Sequence, residues 1–381
     1  MAVMMKPHRV VLVDVVDPRI RQTDAEKSLV ELKSLVSTYN GIDVVTVIQH
    51  RTRPDKATFI GSGKVEELID VVGNRRIKIV VINALVSPTV LFNLTQRLWK
   101  VNTKIQVWDR IDLILHIFGK HASTAEAKLQ IEIAQMRHMG PRMFGLGSTY
   151  FSRQSGGIGG RGIGETNIEL MKRHWKRQIK LKKDELEKVV KKRNLQLDRR
   201  AQHGVASVAI VGYTNAGKSS LFNLLTHRDK RVKDALFVTL DSATGSMYLS
   251  DNLRETPISD TIGFIKDLPS SLIDSFKSTL MYAASAQILL HVIDVSDPEM
   301  HRKIAVVEHI LREIDAHPKK MLYVFNKVDA HEGDGQQILD DVKNNYAAHS
   351  PLFISVKEKT GIKQLKDAIK ESIENLPVDD E

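Results

Sequence analysis

The chain has 381 residues, of which 42% are hydrophobic and 27% charged, and it has no cysteine, so disulfides and thiolate metal sites are excluded. Its length predicts two or three domains, each large enough to bury a core. The formal net charge is +10, and residues 172–200 hold most of the excess, with 13 Lys or Arg against 4 Asp or Glu. Such a concentration of positive charge is typical of a surface that binds a polyanion.

Apolar runs in the sequence are short. Residues 79–86, among the longest, fall well below the roughly 18–20 residues that a membrane-spanning helix needs. Near the N-terminus, Asp14 interrupts an apolar run and no small-residue cleavage site follows, so we predict a buried first strand rather than a signal peptide. We therefore expect a cytoplasmic protein with no membrane segment.

Residues 1–120 predict an N-terminal α/β domain. Apolar runs of strand length, at 9–16, 43–49, 77–84 and 104–109, alternate with helical patterns at 24–39, 64–74 and 88–100. This alternation is typical of parallel strands joined by helical crossovers. Residues 60–68 carry Gly-x-Gly-Lys before a helix, a pattern with two interpretations: a phosphate-binding turn or a simple helix start.

Residues 121–203 predict a basic helical hairpin. A helical pattern at 123–139 is followed by nine glycines between Gly140 and Gly164, which we interpret as a glycine-rich loop. A long basic helix is predicted from about residue 165 to residue 200, antiparallel to the first. The candidates for RNA contact lie at or near the tip: Arg153, Arg161, Lys172, Arg173, Lys176 and Arg177. The alternative interpretation of these charges is a solvated helix face.

The third predicted domain, residues 204–381, opens with a strand, a glycine-bounded loop and a helix. The loop matches G-x-x-x-x-G-K-[ST], and its phosphate-binding residues would be Gly212, Tyr213, Thr214, Asn215, Ala216, Gly217, Lys218 and Ser219. Backbone N–H groups can wrap the phosphates, Lys218 can bridge the outer ones, and the Ser219 hydroxyl can bind Mg²⁺. A plain glycine turn is the alternative, but the flanking strand and helix lie where the motif requires them.

Four further segments follow in the order expected of a GTPase. The first is centred on Thr239, which can bind Mg²⁺ and close over the γ-phosphate, and comprises Phe237, Val238, Thr239, Leu240 and Asp241. Thr244 lies nearby and remains an alternative Mg²⁺ ligand. The second segment comprises Asp260, Thr261, Ile262 and Gly263. Its aspartate would lie near Mg²⁺, and the N–H of its glycine would donate to the γ-phosphate. The last two follow later strands: Asn326, Lys327, Val328 and Asp329, then Ser355, Val356 and Lys357.

The base preference follows from hydrogen-bonding chemistry. Guanine offers an N1–H and a 2-amino group together, which the carboxylate of Asp329 can accept in a bidentate pair. Adenine presents no such pair and would leave the carboxylate without its partners. The sequence therefore predicts GTP as the substrate. We assign catalytic roles to Lys218, Thr239, Gly263 and Asn215.

The segments GYTNAGKSSLFN, TLD, DTIGFI, NKVD and the upstream RGIGETNIEL together resemble the HflX family of translational GTPases. FIGSGKVEEL also resembles that family's first domain. The resemblance implies binding to the large ribosomal subunit and its RNA, and separation of stalled or idle ribosomes into subunits. It also implies that the glycine-rich loop is directed at the peptidyl-transferase region. Ile163 and Asn167 stand where the family pattern, nearer RGPGETQLE, has proline and glutamine.

Phe264 follows Gly263 and has no hydrogen-bonding group with which to orient an attacking water. We therefore expect intrinsic hydrolysis on the order of 10⁻⁴ s⁻¹, which a trans-acting group can raise by up to ~10⁵-fold. The resemblance implies that the large ribosomal subunit is the activator. Asn215 offers a second contribution: either it helps to hold K⁺ beside the phosphates, or it only stabilises the turn. Three roles stay open for Phe264. It either docks against the ribosome, packs under the switch, meaning the segments that respond to the γ-phosphate, or is a plain buried aromatic.

The sequence thus predicts an α/β protein with three parts: an N-terminal parallel α/β domain, a basic helical hairpin with a Gly-rich loop, and a Ras-like P-loop GTPase domain. We expect a monomer. Two other functions stay open, a ribosome-assembly GTPase acting on maturing ribosomal RNA and an adaptor that binds GTP with little turnover. None of the 14 histidines shows metal-ligand spacing, and His116, His121 and His138 are interpreted as packing or surface residues.

Overall fold

The structure is a computed structural model that describes residues 7–20, 22–154, 161–201, 206–227, 243–249, 255–261, 263–265, 283–314, 316, 320–330 and 335–376. The chain divides into two compact units. The first combines Met1–Lys120 with Ile131–Leu186, and the second combines His121–Gln130 with Glu187–Glu381. The division into three domains, with boundaries after residues 120 and 203, remains a prediction.

A four-stranded parallel sheet forms the centre of the first unit. Its strands are β1 (His8–Val16), β2 (Gly41–His50), β3 (Ile79–Ile82) and β4 (Gln106–Trp108), in the order β2-β1-β3-β4. All four residues of β3 are buried, as expected where helices cover both faces of a parallel sheet. The predicted parallel α/β fold of this region is confirmed.

Four helices accompany this sheet: α1 (Gln22–Thr38), α2 (Ser62–Asn74), α3 (Pro88–Leu98) and α4 (Arg110–His121). Ser87 caps α3 by accepting a hydrogen bond from the Val90 N–H, and Pro88 occupies the first turn, where its missing N–H costs nothing. Helix α4 is absent from the sequence-based predictions. Eight of its first nine residues are buried, among them Arg110 and Asp112, so the charged residues of its first turn do not mark an exposed face.

The hairpin helices are longer than predicted. Helix α5 (Ala125–Gln154) continues through Gly140 and Pro141, and α6 (Arg161–Ala201) begins before residue 165, so the glycine-rich loop prediction is wrong for these residues. Pro141 cannot donate to the helix ladder of the preceding turn. The indole N–H of Trp175 on α6 donates to the Met136 carbonyl oxygen of that turn at 2.8 Å. Packing against the antiparallel partner thus supports a helix that local propensity disfavours.

A buried ion-pair network joins α5 to the end of the first sheet. His138 Nε2 lies 3.1 Å from Asp109 Oδ1 and 3.4 Å from Asp112 Oδ1. Arg142 Nη2 lies 2.6 Å from Asp112 Oδ2 and 3.4 Å from Asp109 Oδ2. His138 is therefore part of a buried ion-pair network. The sequence-based interpretation of His138 as a packing or surface residue did not include this role. The two carboxylates and the imidazole could also hold a metal ion, but the guanidinium already pairs with both carboxylates.

We expect this network to make stability depend on pH. Burial opposes the charged form of His138, but hydrogen bonds to Asp109 and Asp112 outweigh it and raise the pKa of His138 to about 9. Because this pKa lies above the ordinary histidine value, the stabilisation is complete below about pH 6.5 and is lost as the pH rises through about 9. Urea unfolding between pH 6 and pH 9.5 should show this loss, and His138→Gln should remove it and lower stability by about 1–3 kcal/mol at pH 6.5.

His309 provides the matched control for this prediction, because its side chain is 67% exposed and pairs with Glu313 one turn along the same helix. His309→Gln should leave the pH dependence of the free energy of unfolding as it is in the parent protein. An equal loss of stability between pH 6.5 and 9 in the His138 variant and the parent would contradict the assignment.

The second unit holds a six-stranded sheet. Its strands are β5 (Val208–Val211), β6 (Ala243–Tyr248), β7 (Glu255–Asp260), β8 (Ile288–Asp294), β9 (Lys320–Asn326) and β10 (Leu352–Phe353). The order is β10-β9-β8-β5-β7-β6, and every pairing is parallel except that of β6 with β7. Its described helices of two or more turns are α7 (Lys218–Thr226), α8 (Met300–Glu313), α9 (Gly335–Asn345) and α10 (Ile362–Glu374).

Neighbouring parallel strands bring their carboxyl ends to one edge of this sheet, where open α/β sheets bind ligands. β5, β7, β8 and β9 all lie side by side and parallel. The segments that the sequence analysis assigned to phosphate and base follow β5, β7, β9 and β10 at this edge. Among the helices of the described residues, none combines the length and the apolar character needed to span a membrane.

Candidate functional site

The P-loop connects β5 to α7 and requires glycine at both ends. Gly212 has φ 148°, and a Cβ there would lie 2.2 Å from the Val292 carbonyl oxygen on β8. Gly217 has φ 95° and precedes the first residue of α7, which is Lys218. Asn215 also adopts a left-handed backbone, with φ 64°, a conformation that asparagine tolerates better than most residues. The loop therefore has the strand, turn and helix that phosphate binding requires.

The Lys218 side chain lies inside the loop. Its Nζ donates to the Tyr213 carbonyl oxygen at 2.6 Å, and the residue is buried. Burial lowers the pKa of Lys218 to about 8, and the negative charge of Asp260 opposes that shift. Phosphate oxygens in the loop would add negative charge and favour the ammonium form further. Lys218 is thus placed to neutralise an anionic ligand in a water-poor site.

Hard oxygen ligands meet beside the loop. The Ser219 hydroxyl donates to Asp260 Oδ2 at 2.7 Å, and Asp260, the last residue of β7, is 1% exposed. A hydroxyl and a buried carboxylate at this spacing suit Mg²⁺, which prefers oxygen ligands. The neighbouring Thr261 hydroxyl is used elsewhere, because it donates to the Ile210 carbonyl oxygen at 2.7 Å.

The segment after β7 packs directly on the P-loop. The Thr214 N–H donates to the Phe264 carbonyl oxygen at 2.8 Å, and the Phe264 N–H donates to the Gly212 carbonyl oxygen at 3.2 Å. A Cβ at Gly263 would lie 2.7 Å from Thr214 Cγ2 and 2.9 Å from Lys218 Nζ. The Phe264 ring is 1% exposed, which favours the two buried interpretations over direct docking. With phenylalanine at position 264, the residue after Gly263 has no side-chain group that could orient a water.

The base-recognition segments are tied to the P-loop and to each other. The Asn326 amide donates to the Ala216 carbonyl oxygen at 2.9 Å and accepts from the Val356 N–H at 3.1 Å. The Ser355 hydroxyl donates to Asp329 Oδ1 at 2.5 Å, and Lys357 Nζ lies 3.7 Å from Asp329 Oδ2. Principally the Ser355 hydrogen bond holds the pKa of Asp329 below its ordinary value. Asp329 is therefore anionic near neutral pH, as bidentate acceptance from guanine requires.

Lys327 makes a contact that the sequence analysis missed. Its Nζ lies 2.7 Å from Asp294 Oδ2, at the end of β8. Asp294 belongs to the short segment HVIDVSD, where an apolar strand ends in polar residues. That pattern marks the same sheet edge as the other site segments and would have been the signal for it.

Several predicted site residues lie outside the described residues. They are Phe237, Val238, Thr239, Leu240, Asp241 and Ile262. The choice between Thr239 and Thr244 as Mg²⁺ ligand thus stays a prediction. Thr244 lies on β6, where it pairs with Ser259, the residue before Asp260. Val328 begins a single turn of 3₁₀-helix that ends at Ala330 and carries Asp329.

The candidate RNA contacts lie along the two hairpin helices. Lys172, Arg173, Lys176 and Arg177 are exposed on α6, whereas Trp175 between them is half-buried against α5. Arg153 is in the last turn of α5 and Arg161 is the first residue of α6, and the side chains of both lie outside the described residues. The separate Gly-x-Gly-Lys pattern starts α2, whose N-cap Gly61 donates its N–H to Gln49 Oε1 at 2.7 Å.

Comparison with known proteins matches this architecture. Three protein-family models fit the chain: GTP-binding GTPase N-terminal at residues 26–119, GTP-binding GTPase Middle Region at residues 121–200, and 50S ribosome-binding GTPase at residues 207–327. The chain is 41% identical over 355 residues to GTPase HflX of Caldanaerobacter subterraneus subsp. tengcongensis, covering 93% of this chain and 79% of that protein. It is 38% identical over 348 residues to GTPase HflX of Escherichia coli strain K12, covering 91% and 79%.

Solved structures agree with these relatives. A GTP-binding protein from the archaeon Sulfolobus solfataricus in complex with GDP is 26% identical, with a TM-score of 0.50, covering 96% of this chain and 99% of that one. The structure of the SsGBP and GDP complex is 25% identical, with a TM-score of 0.53, covering 97% of this chain and 100% of that one. The identities to several HflX proteins extend over most of the chain, and the P-loop and base-recognition segments described above agree with a guanine nucleotide site. The chain belongs to the HflX family of GTPases.

Proposed function

We propose that this GTPase binds the large ribosomal subunit in its GTP-bound state and promotes separation of stalled or idle ribosomes into subunits, with hydrolysis releasing it. The observation that supports this most is α6, a helix of 41 residues that displays exposed cations in the same chain as a guanine nucleotide site. At 1.5 Å per residue it extends about 60 Å, long enough to follow an RNA duplex over two turns. We expect a cytoplasmic monomer.

Cationic side chains on a long helix suit RNA for a physical reason. Lys and Arg neutralise backbone phosphates and release condensed counterions, and duplex RNA is recognised mainly by shape and backbone. Arg173, Lys176 and Arg177 are exposed, so their charges can reach a polyanion. We propose these, together with Lys172, Arg153 and Arg161, as the RNA contacts.

The nucleotide would control binding through the segment after β7. Gly263 packs closely on Thr214 and Lys218, so a γ-phosphate beside Lys218 would engage this segment. An N–H from Gly263 and the hydroxyl of Thr239 would then hold two switch segments only while the third phosphate is present. We propose that the large subunit is recognised in that ordered state.

Hydrolysis needs charge neutralisation more than covalent help. Mg²⁺ fits the pair formed by Ser219 and Asp260, and when bound it neutralises charge on the outer phosphates. Lys218 supplies a second positive charge from inside the loop. Because Phe264 is buried, we propose that the ribosome, or K⁺ held near Asn215, provides what an orienting polar side chain provides in other GTPases.

The first test is GTP turnover by the purified chain, alone and with large ribosomal subunits, in K⁺ and again in Na⁺. We expect strong stimulation by the subunits in K⁺, and a lower rate in Na⁺ if the ion at Asn215 contributes. A subunit-separation assay on intact ribosomes follows, with GTP, GDP and a non-hydrolysable GTP analogue. Equal turnover with and without subunits in both salts would contradict the proposal and favour an adaptor that binds GTP with little turnover.

A charge-reversal variant tests the RNA surface directly. Arg173→Glu, Lys176→Glu and Arg177→Glu together should weaken subunit binding and reduce the slope of log K against log salt by about three, since each lost phosphate contact lowers it by about one. The matched control reverses Lys343, Lys363 and Lys370, three exposed lysines on α9 and α10. Equal losses in both variants would indicate a general charge effect rather than this surface. Preferential binding to immature subunits would favour the ribosome-assembly alternative.

A further inference from the structure

The end of β8 carries a carboxylate that no assigned role explains. Asp294 Oδ2 lies 2.7 Å from Nζ of Lys327, whose side chain is 32% exposed, while that of Asp294 is 18% exposed. The other oxygen, Oδ1, accepts hydrogen bonds from the Ser296 N–H at 3.0 Å and the Ser296 hydroxyl at 2.6 Å. These two donors of Ser296 orient the carboxylate independently of its contact with Lys327. An acceptor held in this way offers its second oxygen in one defined direction.

Lys327 needs such a partner because of its backbone. It follows the last residue of β9 and has φ 68°, a left-handed conformation that costs a residue with a Cβ roughly 1–2 kcal/mol. Asp294 and Asn326 are paired in register across β8 and β9, so the residue after Asn326 begins beside Asp294. Strain of this kind persists only where the surroundings hold it. The ion pair with Asp294 is a contact that holds the Lys327 side chain over the sheet edge.

The neighbours of Lys327 are the recognition residues of the nucleotide site. On one side, Asn326 donates to the Ala216 carbonyl oxygen of the P-loop at 2.9 Å. On the other, Asp329 accepts from the Ser355 hydroxyl at 2.5 Å. Lys327 thus lies in the chain between the contact to the phosphate loop and the contact that would select guanine. A change in how Lys327 is held would therefore act on the segment that carries both contacts.

We infer that Asp294 is a positioning residue for guanine nucleotide binding, acting through Lys327 without touching the nucleotide. The inference rests on the guanine nucleotide site and not on the proposed ribosomal role. A merely superficial ion pair of this exposure would contribute little and would leave nucleotide affinity unchanged. The two cases therefore differ in a measurable quantity.

The test is a double-mutant cycle on GDP affinity, measured with a fluorescent GDP analogue and purified protein. Asp294→Asn should weaken GDP binding by about 5- to 30-fold, the effect of losing one charged hydrogen-bond partner. Lys327→Met should weaken it by at least as much. The double variant should bind no more weakly than Lys327→Met alone, because Asp294 has nothing left to position.

Two further measurements separate positioning from a structural defect. The ratio of GDP to IDP affinity should stay the same in Asp294→Asn, because the 2-amino group that distinguishes the two bases meets Asp329. Glu299→Gln, which removes an exposed partner of Arg302 at 3.2 Å just beyond the same strand, should leave GDP affinity within about twofold. Additive losses in the double variant, or unchanged affinity in Asp294→Asn, would overturn the inference. Neither result involves ribosomes, so failure here is distinguishable from failure of the proposed function.

Discussion

Gly217→Ala is expected to weaken GTP and GDP binding by at least about 100-fold. A Cβ at this position would lie 2.2 Å from Asn326 Nδ2, which is a steric clash. The residue also has φ 95°, a backbone conformation that residues with a Cβ rarely adopt. The displaced amide would lose its hydrogen bond to the Ala216 carbonyl oxygen, which links the P-loop to the base-recognition segment. Strain of about 1–3 kcal/mol and one lost buried hydrogen bond together account for the expected factor. Equilibrium binding of a fluorescent GDP analogue measures it.

Gly63 supplies the matched control for this glycine substitution. A Cβ added at Gly63 would meet no atom within 4 Å, and the residue lies in the first turn of α2. Gly63→Ala should therefore leave nucleotide affinity at the P-loop unchanged and should stabilise the helix slightly. Circular dichroism of both variants separates loss of the site from loss of the fold. Nucleotide affinity within about threefold of the parent in Gly217→Ala would show that the observed closeness of Asn326 is not required.

Asp329→Asn is expected to exchange guanine for xanthine specificity. The anionic carboxylate can accept from both the N1–H and the 2-amino group of guanine. An amide in its place would turn one donor toward the 2-amino group. The charged hydrogen bond to the 2-amino group, worth about 1.5–3 kcal/mol, is lost and the one to N1–H becomes a weaker neutral bond, so GTP affinity should fall by roughly 10²-fold. Xanthine carries a carbonyl at the 2-position, which the amide donor can meet.

Competition binding with GTP, XTP and ITP measures this exchange of specificity. The Ser355 hydroxyl donates to Asp329 Oδ1 and can donate equally to an amide oxygen, so the local fold should persist. Asp367→Asn, at an exposed position of α10, is the control for loss of one negative charge and should not alter base preference. Stronger binding of GTP than of XTP by the Asp329 variant would show that base selection depends on groups other than this carboxylate.

The buried position of Phe264 bears on how the enzyme is controlled. Its N–H and carbonyl oxygen bond to the P-loop on either side of Tyr213, so its ring in the core anchors the segment that carries Gly263. A residue used as an anchor cannot also orient a water. Slow intrinsic hydrolysis is therefore the expected consequence of this arrangement, and the turnover assay with large ribosomal subunits tests whether an external activator raises the rate.

The sequence alone was sufficient to predict the elements whose pattern lies within a short stretch of the chain. The P-loop, the Asp-x-x-Gly segment and the two base-recognition segments each combine a strand end with a turn, and the short spacing between their residues determines their chemistry. The strands of the first unit were predicted at 9–16, 43–49, 77–84 and 104–109, and each overlaps the strand observed there. Apolar runs bounded by polar residues carry this information because a parallel strand is buried on both faces.

Contacts between residues distant in the chain had to come from the tertiary structure. Helix α5 continues through Gly140 and Pro141, where propensity alone predicts a break, and in the preceding turn Trp175, far along the chain, donates to the Met136 carbonyl oxygen. His138 joins Asp109 and Asp112 only because α5 packs beside the end of the first sheet. The same holds for Asp294, which meets Lys327 because β8 and β9 are neighbours in register. Local spacing encodes which chemistry a loop can perform, whereas the pairing of strands and helices decides which charged groups meet.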